Sequence, residues 1–291
     1  MRTLVLIAIF CCSLGCQKSE KNDRSNTTKT NTLKTVKPNI LSKPSASNDL
    51  PNTKVSLKIL TDKCNDGHTE SCFELGIRFA KGDGVKKSWG TANLHFTGAC
   101  AIGLPAACVE LGMSYQLARG VAQNWKKANE LYSQACDKGD MLGCANLGVS
   151  HSHGTGVPQS WNLANTLYTK ACEGGQMLAC SNLGLSYRRG TGVAKDETKS
   201  VQLYQKACAG DYLLGCSNLA YSYLKGMGIQ QNIPKAVEFF TRACEGRVAS
   251  ACANLGSVYT DKQSELKDEA KGKTFFKKAC KLGMEQACSL Y

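Results

Sequence analysis

The sequence has no apolar run long enough to cross a bilayer, no Cys-x-x-Cys-His segment and no glycine loop of the kind that cradles phosphate. A membrane-spanning helix, covalently attached haem and phosphate-loop chemistry are therefore not expected. Serine-enzyme motifs are equally thin. Ser222-Tyr-Leu-Lys225 and Ser264-Glu-Leu-Lys267 have the Ser-x-x-Lys spacing, but neither Ser-Asp-Asn nor Lys-Thr-Gly accompanies them, and chance gives such matches in a chain this rich in serine and lysine. His151 and His153 form a His-x-His with no second ligand cluster, so neither a metal nor another cofactor is expected. Arginine is scarce, 8 residues against 28 lysines within a net charge of +13. The lysines are scattered rather than striped, which speaks against nucleic acid as a partner.

Cysteine is what the chain has in excess, 17 of 291 residues. A Cys-x7-Cys pair recurs seven times, from Cys64 and Cys72 to Cys280 and Cys288, and every step is 36 residues. Seven pairs in one register make the chain a tandem array. Such a set suggests disulfides in an oxidising compartment, and a metal or thiol role elsewhere. The N-terminus bears on that choice. Met1-Arg2, the apolar run Leu4 to Phe10 and the small residues up to Cys16 have the layout of an export signal. Leu14-Gly15-Cys16 resembles a bacterial lipoprotein signal, with Cys16 as the lipidated first residue, although Ser13 stands where an aliphatic residue is usual. Ordinary cleavage nearby would instead release a secreted protein. Either way the chain is expected outside the cytoplasm, lipid-anchored to the bacterial envelope on the periplasmic side or secreted. With Cys11 and Cys12 removed and Cys16 lipidated, fourteen cysteines remain, an even number.

Three segments follow from composition. Residues 1–15 are the signal. Residues 16–56, rich in Lys, Ser, Thr and Asn, bury too little apolar surface to offset ordering entropy and are expected to be a disordered tether. Residues 57–291 form the array. Within one repeat, Cys144, Leu147, Gly148 and His151 fall at i, i+3, i+4 and i+7, one helical face. Gly154 and Gly156 then interrupt, and Ala164, Leu167, Tyr168, Ala171 and Cys172 repeat the spacing. Each repeat is thus a helix pair, and the class is all-α, with about six full repeats and a half-repeat at each end. Leu57 to Gly67 is expected to be a lone second helix and Glu285 to Tyr291 a truncated first helix. A leucine spine from Leu75 to Leu255 and a second-helix aromatic column from Phe96 to Phe276 are assigned to the core. A cysteine staple across the turn between repeats closes about nine residues, worth about 2–3 kcal/mol in the loop-entropy model.

Leu-Gly-x-x-Tyr-x-x-Gly-x-Gly-Val followed by Ala-x-x-x-Tyr-x-x-Ala-Cys resembles the SEL-one-like repeat, and the cysteines at a 36-residue period are similar to the Hcp-type cysteine-rich proteins. The resemblance covers about Leu57 to Tyr291. It implies an α/α superhelix related to tetratricopeptide arrays, with one disulfide per repeat: Cys64-Cys72, Cys100-Cys108, Cys136-Cys144, Cys172-Cys180, Cys208-Cys216, Cys244-Cys252 and Cys280-Cys288. It also implies either a peptide-binding adaptor or a penicillin-binding protein with weak β-lactam hydrolysis. Solenoids of this kind bind in the concave groove lined by first helices. On those helices Asn146, Asn182, Asn218 and Asn254 form one row. Ser150, Ser186 and Ser222 form the next, and His153, Arg189 and Lys225 a third. Asparagine can bond an extended peptide backbone, and the basic row suits carboxylates. A solvated polar face fits the same pattern. The expectation is a monomeric, envelope-anchored scaffold for a peptide or peptidoglycan fragment, touching the membrane only through its lipid.

Overall fold

The computed structural model describes residues 57–291, so the signal, Cys16 and the tether lie outside the described residues. Among the described residues there are thirteen α-helices, one short 3-10 turn and no strand. A lone helix α1 (Leu57–Asn65) is followed by six hairpins. These are α2 (Thr69–Lys81) with α3 (Trp89–Ile102), α4 (Pro105–Gln116) with α5 (Trp125–Asp137), and α6 (Met141–His153) with α7 (Trp161–Glu173). The next three are α8 (Met177–Arg189) with α9 (Glu197–Ala209), α10 (Leu213–Lys225) with α11 (Ile233–Glu245), and α12 (Ala249–Thr260) with α13 (Glu269–Lys281). The expected last first helix is only the 3-10 turn Glu285–Ser289. Five residues are too few to nucleate and propagate an α-helix.

Chemistry that recurs every 36 residues starts and stops these helices. Ser88, Asn124, Ser160, Asp196, Asn232 and Asp268 cap the six second helices, each side chain accepting the backbone N–H three residues on. Such a cap contributes about 1 kcal/mol. The first helices have no side-chain cap except Asp140 before α6. Their starts are held by the disulfides instead. All seven expected bridges are formed, with Cα atoms 4.5–4.9 Å apart. They presuppose an oxidising, extracytoplasmic compartment. No described helix is long and apolar enough to cross a membrane.

Packing inside each hairpin depends on a missing side chain. The rings of Phe96, Tyr132, Tyr168, Tyr204 and Phe276 are buried against Gly76, Gly112, Gly148, Gly184 and Gly256, where an added Cβ would meet a ring carbon at 2.4–2.8 Å. Ala220 takes the glycine position opposite Phe240. The leucine spine is buried at Leu75, Leu111, Leu183, Leu219 and Leu255, while Leu147 is half-buried. The last hairpin lacks the glycine pair and closes through residues 261–268, where Asp268 N–H bonds the Tyr259 carbonyl.

Repeats are joined by further side-chain bonds of fixed register. Asn93, Asn129 and Asn165 on α3, α5 and α7 each donate from Nδ2 to a carbonyl in the following hairpin's loop, at Arg119, Thr155 and Thr191, over 2.7–2.8 Å. Lys170 and Lys206 donate from Nζ to the carbonyls of Cys136 and Cys172, at 3.1 and 3.0 Å, placing a cation at the C-terminal end of the preceding second helix. Arg242 reaches Cys208 Sγ at 3.6 Å and pairs with Asp211 at 2.5 Å. Consecutive first helices also touch directly, α4 with α6, α6 with α8 and α8 with α10, whereas consecutive second helices make no comparable contact. The array therefore curves with its first helices on the inside.

Candidate functional site

A first helix in the middle of this array is enclosed by its hairpin partner, by the second helix of the preceding repeat and by the first helices before and after it. The open side is a narrow strip. On α8 it is made by Leu178, Asn182, Leu185 and Arg189, spaced four, three and four apart and all accessible, while Met177, Tyr187 and Arg188 are partly accessible on other faces. At 100° per residue these positions fall within about 60° of one another, opposite the face carrying Cys180, Leu183 and Tyr187. The same positions on α6 are Leu142, Asn146, Val149 and His153, and on α10 they are Leu214, Asn218, Tyr221 and Lys225. The central three repeats therefore present four parallel rows running along the inside of the curve: apolar, asparagine, apolar, basic.

This arrangement corrects the serine row. Ser150, Ser186 and Ser222 are 2%, 1% and 1% exposed and lie under the neighbouring helix, out of a ligand's reach. Ser222 Oγ donates back to the Asn218 carbonyl at 3.2 Å. Because it is buried and bonded within its own turn, Ser222 does not form a serine–lysine pair with the exposed Lys225. The row that belongs beside the asparagines is Val149, Leu185 and Tyr221, one residue earlier, which the sequence reading passed over. His153, Arg189 and Lys225 are exposed in the last turns of their helices. His153 Nδ1 is 2.9 Å from the Val149 carbonyl, and Arg188, next to Arg189, places its guanidinium 5.5 Å from the Tyr221 ring centre.

The asparagines are half-buried and partly engaged with their surroundings. Asn218 Nδ2 bonds Ser181 Oγ at 3.2 Å, tying α10 to α8. Asn182 bonds the Tyr168 hydroxyl, which itself donates to Ser152 Oγ at 3.1 Å. Burial pushes the Tyr168 phenol up to about 12, with the Ser152 and Asn182 bonds acting the other way, so the group stays a neutral donor at physiological pH. Asn254 on α12 is half-buried, but its strip neighbours are Ser250, Ser257 and Asp261, so the apolar and basic rows end before it. At the other end the strip becomes zwitterionic. Glu74 pairs with Arg78 at 3.1 Å, and burial pushes the Glu110 carboxyl up against the opposing charges of Arg119 and Lys81.

The family model described as the Sel1 repeat matches residues 69–88, 105–140, 142–176, 178–212, 213–247 and 249–284, more than half of the chain. Among solved structures, a Sel1 repeat protein from Oxalobacter formigenes is 25% identical with a TM-score of 0.71, over 77% of this chain and 89% of that one. A protective antigen of uropathogenic Escherichia coli displaying an SLR fold is 26% identical with a TM-score of 0.67, over 79% of this chain. The match spans 50% of that antigen's length. Cysteine-rich protein B of Helicobacter pylori is 34% identical over 46% of this chain and 96% of its own, with a TM-score of 0.37. No curated protein matches the chain.

Proposed function

Because the chain belongs to the Sel1 repeat family, we propose that it is a protein-interaction scaffold that holds an extended peptide segment along the strip of α6, α8 and α10. The observation that carries this reading is the four-row strip itself. Apolar side chains on the inner surface of an array gain from being covered, at about 25 cal/mol per Å². The asparagine amides between them offer both a donor and an acceptor to a peptide backbone. A stack of rigid, stapled helices also loses little entropy on binding, which favours affinity. Export and a lipid at Cys16 belong to the same proposal, supported by the signal-like pattern of residues 1–16. The intact mass of protein extracted from membranes should then correspond to a chain starting at an acylated Cys16, and a chain starting elsewhere without lipid refutes the anchor.

The scaffold reading is tested by selecting ligands from a random peptide library on the full chain and mapping them by hydrogen exchange. Selected peptides are expected to slow exchange on α6, α8 and α10, and Leu185→Asp is expected to weaken them more than ten-fold while leaving the helical content intact. Protection confined to the second helices, or no effect of Leu185→Asp, defeats it. A chromogenic β-lactam is the counter-test: turnover that vanishes in Asn182→Ala would put a hydrolase in the scaffold's place.

A further inference from the structure

The strip carries information about spacing as well as chemistry. None of α6, α8 and α10 contains an aspartate or glutamate, although each ends its strip on a basic or protonatable side chain, His153, Arg189 or Lys225. Carboxylates occur on the strip only outside these helices, at Glu70, Glu74 and Glu110 before them and Asp261 after. These three positions also share one register, 36 residues apart in sequence and one first helix apart in space. Helices packed side by side stand about 8–10 Å apart. A polyproline II segment advances about 3.1 Å per residue and turns once every three. Three residues of such a segment cover about 9.3 Å and return a side chain to the same side, whereas a β-strand would return it after two residues, about 6.7 Å. An extended ligand with a three-residue period therefore matches the array, and one with a two-residue period drifts out of step.

Resting on the peptide-scaffold reading, we infer that the occupant of this strip is an acidic peptide segment in polyproline II conformation, with a carboxylate at every third residue facing His153, Arg189 and Lys225. The residues between the carboxylates lie over the two apolar rows, with the asparagine row beneath the backbone. Charge complementarity selects the acidic partner, and the helix spacing selects its period. The outer repeats, where the strip carries Glu74 and Glu110 on one side and Asp261 on the other, bound the footprint to about nine residues.

Four synthetic twelve-residue peptides test this against the full chain by fluorescence anisotropy. Three share one composition of Asp, Pro, Leu and Ala, with the aspartates at every third residue, at every second residue, or clustered at one end. The fourth replaces aspartate by asparagine. The period-three peptide is expected to bind about ten-fold tighter than its two isomers at low salt, with the advantage fading as salt rises. The Arg189→Ser/Lys225→Ser double variant should bind all three isomers alike. Equal affinity of the isomers for the unaltered chain overturns the inference, as does an advantage that survives in the double variant. If the asparagine peptide binds as tightly as the period-three one, the scaffold reading stands and the acidic partner falls. If none of the four binds and library selection also fails, both fall.

Discussion

Full reduction of the folded chain is expected to unfold it at temperatures where the oxidised form is stable. Each staple closes about nine residues, worth about 2–3 kcal/mol of unfolded-state entropy. The seven contributions do not simply add, yet two or three of them already rival the roughly 5–15 kcal/mol by which a domain is stable. The helix starts would suffer first, because five of the six first helices have no side-chain cap to replace the lost cross-link. Far-UV circular dichroism with and without reductant, followed by alkylation and mass analysis, measures the effect. The order of reduction is also set by the structure. Cys288 is exposed and Cys280 half-buried, Cys64 is half-buried, and the five inner bridges are sealed. Alkylation should therefore appear first at Cys280 and Cys288, then at Cys64 and Cys72. A reduced chain that melts where the oxidised one does would show that packing alone holds the array.

The second large effect is expected from Gly148→Leu. An added Cβ at Gly148 would stand 2.8 Å from the Tyr168 ring, and the rest of a leucine would have to occupy the ring's volume. Tyr168 cannot retreat, since its ring is buried and its hydroxyl is fixed by Ser152. The hairpin of α6 and α7 must open, and a loss above about 3 kcal/mol follows from overpacking and the lost burial of the ring. Gly148→Ala should cost less, about 1 kcal/mol or below, because the gain in helix propensity offsets part of the clash. The array contains its own control for that milder change, the Ala220 and Phe240 pair. Urea midpoints for both variants, with hydrogen exchange to localise the opening to α6 and α7, check the argument. A Gly148→Leu protein as stable as its parent would mean that the hairpins do not depend on this close approach.

The repeat register made most of the fold legible in advance. A period of 36 with glycine at Gly175 and cysteines at Cys172 and Cys180 places the turn, the helix start and the bridge without any knowledge of contacts. The aromatic column was legible for the same reason: Ala164 and Ala171 flank Tyr168 at the spacing of a buried face. The candidate site was only half legible. Reading a helix as amphipathic assumes one buried face and one open face. Here a central first helix is enclosed on all sides but one narrow strip, so a small polar residue at Ser186 sits under a neighbour while the more apolar Leu185 is partly open. The mirror-image case is the second-helix row Asn93, Asn129 and Asn165, whose amides bind the next repeat's loop. Its 36-residue recurrence was visible, but periodicity alone does not tell a latch from a solvated amide.

Those latches have a bearing on how such a molecule can change its size. The Asn129 amide finds its carbonyl 26 residues ahead, at Thr155, and the Lys170 ammonium finds its own 34 residues behind, at Cys136. Each such joint spans a single boundary between adjacent repeats, and in the central repeats Asn129 and Asn165, like Lys170 and Lys206, make it from equivalent atoms, whereas Val201 and Val237 take the asparagine position further on. Removal of residues 141–176 would set Asn129 against the loop of Thr191 and Trp125 against Gly192, groups already used to receiving Asn165 and Trp161. Array length is thus a quantity that gene duplication or deletion can adjust in whole units, lengthening or shortening the inner surface by one step while every remaining joint stays in register.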